Sequence, residues 1–177
     1  MSVFKTTFSR ALMVIPSDDC NVPSPNLLIR SVNTGVDVNK LIDSNAKFYV
    51  DVTSEADGSL RREYKVNVGD VVYCYGNYKA ATILEVIDDE TLLLNADIMD
   101  ALYQYDIYQE GAQTGLGNQG CFLNIGGDPH VNDIYITTIG GDDTLLIKID
   151  TGLLPIQVKK VWKSNTSITS TNITALW

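Results

Sequence analysis

The side chains with the most chemical potential are sparse, and each lacks the partners its chemistry would need. His130 is the only histidine in the 177 residues, so any Ser-His-Asp triad would have to use it. It follows Asp128-Pro129 in a turn, and no G-x-S-x-G elbow surrounds a nucleophile. It reads as a loop histidine. Gly115-x-Gly117-x-x-Gly120 has the letters of a dinucleotide fingerprint without the βαβ setting that gives them meaning. Carboxylates gather at Asp18-Asp19, Asp88-Asp89-Glu90 and Asp142-Asp143. Such groups can share acid–base work or hold calcium with backbone carbonyls. Neighbours in a turn point in different directions, however, and no EF-hand spacing is present, so these read as solvated turns. Cys20, Cys74 and Cys121 are odd in number, far apart and without a C-x-x-C. They suit small buried thiols better than zinc ligands or a disulfide framework. No catalytic, cofactor-binding or metal-binding residue is assigned.

Tyr73, Tyr75, Tyr78, Tyr103, Tyr105 and Tyr108 crowd the middle of the chain and could form an aromatic platform for sugars. Tyrosine is also common on strands for packing reasons alone, which is the better reading. The net charge is −9. An acidic surface repels phosphate backbones, and the longest basic clusters are the pairs Arg61-Arg62 and Lys159-Lys160, so no nucleic-acid partner is expected. No apolar run reaches the roughly eighteen residues of a membrane span. Ala11–Ile15 is too short for a signal peptide, so the expected product is made in the cytoplasm.

The elements that would position these groups are strands. Leu145, Ile147 and Ile149 alternate with Leu146, Lys148 and Asp150, the period of a strand with one buried face. Gly140-Gly141-Asp142-Asp143 before it is a turn. Ile156 and Val158 are followed by Val161 and Trp162, and this slip at Lys159-Lys160 predicts a β-bulge or a new strand. Ile173, Ala175 and Trp177 alternate to the last residue, so the end of the chain should pack as core. Ala11–Ile15, closed by Pro16, is a buried strand, and Leu27-Leu28-Ile29 is a second, short strand. Between about Val36 and Tyr108, short strands recur at roughly ten-residue spacing, which predicts a small β-barrel. Only Ala96–Leu102 has any helical character. Residues 109–117 are a glycine-rich linker, and residues 1–10 are an arm carrying Phe4 and Phe8, either disordered or docked on a neighbour. Phe4, Phe8 and Trp177 are the interface candidates.

Three stretches carry a resemblance. Arg10-Ala-Leu-Met-Val-Ile-Pro-Ser-Asp-Asp19, Gly120-Cys-Phe-Leu-Asn-Ile-Gly126 and the ending Leu153-Leu-Pro-Ile-Gln-Val-Lys-Lys-Val-Trp162…Ile173-Thr-Ala-Leu-Trp177 are similar to a family of virion proteins of tailed bacteriophages and gene-transfer particles. That family includes head spike base and capsid decoration proteins. Lys40–Phe48, Val66–Tyr73 and Ala81–Leu94 resemble a module of tailed-phage structural proteins. The resemblance implies an all-β fold. Residues 11–33 would join 118–177 in one discontinuous β-sandwich, and 36–108 would be an inserted small β-barrel.

It also implies a non-enzymatic structural protein on the outside of a phage head, acting as decoration, cement or spike base. Its partners would be the major capsid protein, copies of itself as a trimer or pentamer, and a spike or fibre protein. No cofactor, metal, nucleic acid or membrane enters that reading. The alternatives are a neck, tail or baseplate component, and a carbohydrate-binding adhesion module built on the tyrosines. An enzyme such as a depolymerase is the weakest, for want of an acid–base pair at usable spacing.

Overall fold

The computed structural model describes residues 8–54, 58–100, 102–110, 120–127, 132–167 and 172–177. Among them the chain forms fifteen strands in three antiparallel sheets and no helix. The first sheet has the order β1 (Ala11–Met13), β15 (Ile173–Leu176), β11 (Cys121–Ile125), β14 (Gly152–Val161), β12 (Asn132–Thr138) and β13 (Thr144–Ile149). β14 is its corner. One part of it pairs with β11, from Gly152 opposite Ile125 to Val158 opposite Cys121. The other part pairs with β12, where Thr137 faces Lys160 and Thr138 faces Val158. Lys159 is therefore the extra residue of a β-bulge, where the sequence slips out of phase. A strand that serves two halves of a sheet lets both halves share a core. Accordingly, Ile134 and Ile136 of β12 are buried in one cluster with Leu123, Ile173 and Ala175.

The second sheet has seven strands: β2 (Leu27–Val32), β10 (Gln104–Tyr108), β7 (Val71–Cys74), β8 (Lys79–Val86), β9 (Thr91–Leu94), β4 (Lys40–Ile42) and β3 (Gly35–Asp37). Its core holds Leu41, Phe48, Val72, Ile83, Leu92 and Tyr105. Residues 27–32 were expected in the C-terminal sheet, but β2 pairs with β10 instead, with Ile29 opposite Ile107 and packed on this core. The end strands β2 and β3 are consecutive in the chain but do not pair, so no closed barrel forms among the described residues. Buried Asn33 controls that passage. Its Nδ2 donates to the carbonyls of Gly35 (2.9 Å) and Asp100 (2.7 Å), and its Oδ1 accepts from the Tyr103 amide (2.7 Å). Those bonds carry the chain from one end of the sheet to the other without closing it.

Two strands expected in a barrel leave it altogether. β5 (Tyr49–Thr53) and β6 (Leu60–Tyr64) pair only with each other. β6 reads Leu-Arg-Arg-Glu-Tyr and is exposed at all five positions, because it offers no alternating apolar face to the core. The hairpin is held by the Asp51–Arg62 ion pair at 3.3 Å and by the Arg62 guanidinium, 4.6 Å from the Tyr49 ring centroid. Residues 96–100 are irregular, not helical. Asn33 and Asn77 side chains take the carbonyls of Asp100 and Ile98, which helical bonding would otherwise have used.

The two large sheets meet on the segment that follows β1. Val14, Ser17 and Val22 donate backbone bonds to Ile173, Val161 and Lys159 of the first sheet (2.9, 3.0 and 2.9 Å). On its other side, Leu12, Ile15 and Cys20 pack with Val71, Tyr73, Ala80 and Tyr108 of the second. β7 is thus buried on both faces, Val72 and Cys74 toward the sheet's own core and Val71 and Tyr73 toward the junction. Ile15→Ala is expected to cost about 2–5 kcal/mol by leaving a cavity between the sheets. Urea unfolding followed by tryptophan fluorescence measures it, and a midpoint equal to wild type would contradict this packing.

Candidate functional site

The groups singled out for chemistry are mostly spent on holding turns. Asp18 accepts from the amides of Lys163 (3.1 Å) and Ser164 (3.0 Å) and from Ser164 Oγ (2.5 Å). Asp89 and Glu90 both bind Lys47, at 2.8 and 2.6 Å. Asp142 binds Lys159 at 2.5 Å, tying the turn between β12 and β13 to β14. Each acidic turn is a tether. The three cysteines are buried and unbridged. Burial pushes the Cys20 thiol up to about 11 and that of Cys121 up to about 12, so neither is a nucleophile at neutral pH. His130, Gly115, Gly117 and Phe4 lie outside the described residues.

The tyrosines serve the sheets rather than a platform. Tyr73 and Tyr108 meet edge to face with centroids 5.5 Å apart in the junction, and Tyr105 donates to buried Asp43 at 2.7 Å. Of the six in the middle region, Tyr78 alone is among the exposed large side chains.

The most concentrated electrostatic feature is Asp106, which sequence reading passed over. β10 reads Gln-Tyr-Asp-Ile-Tyr, and alternation sends Tyr105 and Ile107 into the core. Asp106 consequently faces the junction side with Tyr108, fully buried. Arg30 on β2 grips it with two parallel bonds, Nε to Oδ1 at 2.8 Å and Nη2 to Oδ2 at 2.6 Å. Tyr75 and Tyr108 hydroxyls donate to Oδ2 at 3.0 and 2.8 Å. Burial alone would raise this carboxyl, but the bonds from Arg30, Tyr108 and Tyr75 outweigh it and hold it below the usual range. The signal available in sequence was a charged residue at a strand position flanked by tyrosines, with no polar face to escape to. Chemically the group is a structural anchor, since all its acceptor directions point at partners.

Concavity lies elsewhere. A cleft of about 500 Å³ opens where the two large sheets meet, lined in part by Ser17, Asp18, Lys79, Asp97, Lys163 and Ser164. Its lining mixes both signs of charge, and Asp18 is already fully engaged. The outward surface is more distinctive. Leu27, Leu28 and Val32 on β2 are 44, 37 and 44% exposed, and Leu145 and Leu146 on β13 are 42 and 43% exposed. β2 and β13 are end strands of the two large sheets. Among the described residues no further strand pairs with their outer edges.

The interface candidates that can be followed sit at the start and end of the chain. The Phe8 ring lies 5.8 Å from that of Phe122. Trp177 donates its amide to the Arg10 carbonyl (3.1 Å) and accepts from the Ser9 amide (2.8 Å). Its side chain packs on the core of the first sheet and on the junction.

Asp106→Asn should cost about 1–3 kcal/mol at neutral pH, since four hydrogen bonds from Arg30, Tyr75 and Tyr108 lose an ionised acceptor. The sign of the pH dependence follows from the depressed folded value. The contribution is complete above about pH 4 and is lost as pH falls through the folded value. Asp70 and Glu110, both raised chiefly by burial, work in the opposite sense. Denaturant titrations between neutral pH and pH 3 should show a shallower acid loss in the variant. An identical slope would contradict this role for Asp106.

Searches against protein-family models, curated proteins and solved structures return no match.

Proposed function

We propose that this chain is a non-enzymatic structural protein of a phage virion, seated on the head exterior as a decoration or cement protein or a spike base. The observation that supports an assembly role is the pair of six-residue end strands β2 and β13, which expose Leu27, Leu28, Val32, Leu145 and Leu146 and whose outer edges pair with no strand among the described residues. A chain that kept such edges open in solution would be prone to associate through them. The virion setting rests on the sequence resemblance alone. Acidity supports it, because a net charge of −9 keeps such a surface off packaged DNA. The tethering of the acidic turns and the burial of the thiols favour a packing role over catalysis. On this reading, β1 with β11–β15 form a discontinuous β-sandwich unit, and the intervening strands are an inserted unit. The partners are then the major capsid protein and other copies of this chain in a closed ring such as a trimer or pentamer.

Cryo-electron microscopy of intact particles tests the assignment. Density for this chain in many copies on the head lattice or at its vertices is the expected result, whereas a single ring at the neck or tail would favour a portal or baseplate role. Removal of residues 1–7, which keeps Phe8 on Phe122 and Arg10 on Trp177, should lower occupancy on purified particles. Unchanged occupancy would remove the arm from the assembly contact.

A further inference from the structure

Asp106 is buried with a cation at hand, whereas Asp70 is buried without one. Asp70 is fully buried just before β7. Its oxygens accept two backbone amides, Asn67 to Oδ2 at 2.7 Å and Glu110 to Oδ1 at 3.0 Å. The Glu110 side chain turns back to the same place. Gly69 has a φ of 99°, and a β-carbon there would collide with Glu110 Oε2. The second carboxylate therefore lies against the backbone of the residue next to Asp70. Among the described residues no lysine or arginine pairs with either acid.

The pair stands on the seam between the two large sheets. Glu110 lines a cavity of about 140 Å³ with Gly69 and Val71 from one side, Cys20 and Val22 of the joining segment, and Lys160 of β14. The chain passes here twice, and the two passages are tied together. Ser24 donates to the Gln109 carbonyl at 3.0 Å, and Gln109 donates to the Asn26 carbonyl at 2.9 Å. The other charged groups on this cavity are Asp19 and Lys160. Asp19 adds negative charge. The Lys160 ammonium donates to the Asp18 carbonyl at 2.8 Å and lies 3.8 Å from the Trp162 ring centroid, so it is engaged elsewhere.

We propose that Asp70 and Glu110 form a proton-operated latch on this seam, holding the two passages against the β7 turn while the pair keeps a proton and loosening them when both acids ionise. Two carboxylates in a site short of water and of cations cannot both ionise without cost. Burial raises both above the ordinary range. The Asp70 charge adds to the rise of Glu110, and the amides of Glu110 and Asn67 offset only part of that of Asp70. An opened latch returns both acids to water and to ordinary values near 4. The closed form thus holds protons that the open form has released. Closure weakens as pH climbs from about 4 through the raised values and levels off above them. Asp106 acts below that window, where its own carboxylate gains a proton.

Amide hydrogen exchange of the full chain, followed by nuclear magnetic resonance from about pH 4.5 to about pH 7.5 with intrinsic rates divided out, tests this. Protection of the Ser24, Gln109 and Glu110 amides should fall at least about threefold across that range, about tenfold per pH unit being the ceiling for each proton released. Glu110→Gln keeps the size of a partly exposed side chain, so the fold survives. In that variant protection at the upper end should rise and the slope should become shallower. The Leu94 amide, bonded to the Asn39 carbonyl in other strands of the second sheet, should keep its wild-type profile. Glu63→Gln on exposed β6 removes the same charge and should change nothing. A flat wild-type profile, or a wild-type slope in Glu110→Gln, overturns the latch. An equal change at Leu94, or an equal effect of Glu63→Gln, assigns the pH dependence to global stability or net charge and overturns it as well.

Discussion

The structure depends on a short stretch of backbone being wanted by two sheets at once. Val14, Ser17 and Val22 give their amides to one sheet, and Ile15 and Cys20 between them share a buried cluster of side chains with the other. Ile15, Cys20 and Tyr73 are each less than a tenth exposed there. Burial of a few such side chains is worth several kcal/mol, a large share of the margin by which a domain of this size stays folded. Small side chains make the approach possible, with Ala80 placing little between the β8 backbone and the junction. Ser17 adds a bond from its hydroxyl to the Ala80 carbonyl at 3.3 Å. Trp177 rests on both the first core and the junction, so the last residue of the chain helps close the same seam.

Charge is distributed to suit that arrangement. Asp43, Asp70 and Asp106 are fully buried, and each is provided with donors. The bidentate Arg30 at the periphery of the seam neutralises Asp106 while keeping contact with water. A buried carboxylate without such partners would cost several kcal/mol. Asp18, Asp89, Glu90 and Asp142 stand in turns, where lysines or backbone amides hold them. The apolar residues left uncovered are spread over end strands, turns and the β5–β6 hairpin, with Leu60, Leu102, Val38 and Val68 the most exposed.

Each large sheet has one end closed by a three-residue strand and one end left long and apolar. The longer strands are blunted in other ways, β2 by the bulge at Leu28 and by Arg30, and β13 by Lys148. The β5–β6 hairpin follows the opposite course. It is laced by ion pairs and a cation–π contact, and with β6 exposed along its whole length it relies on its own cross-strand contacts, as two-stranded ribbons must.

Much of the fold was legible because strands announce themselves locally. The phase slip at Lys159-Lys160, the burial of Ile173 and Ala175 and the inward packing of Ile147 and Ile149 are consequences of a two-residue period, whereas Leu145, expected on that same buried face, is 42% exposed at the start of the end strand. Sequence by itself determined the all-β class, the burial of the three cysteines and the inward face of β15, but not those of β13 and β14, where Leu145 and Ile156 are exposed. Only the tertiary structure decided which strand neighbours which. Leu27-Leu28-Ile29 reads the same whether it pairs with β10 or with the C-terminal sheet, because ladder bonds use backbone atoms common to every residue. The separation of β5–β6 and the unclosed seven-stranded sheet were likewise set by long-range fit, through Asn33 and the lack of an apolar face on β6. Asp106 was visible as a letter, but its burial depended on Arg30, seventy-six residues earlier. A charge is sited by its partner, and sequence order does not name partners.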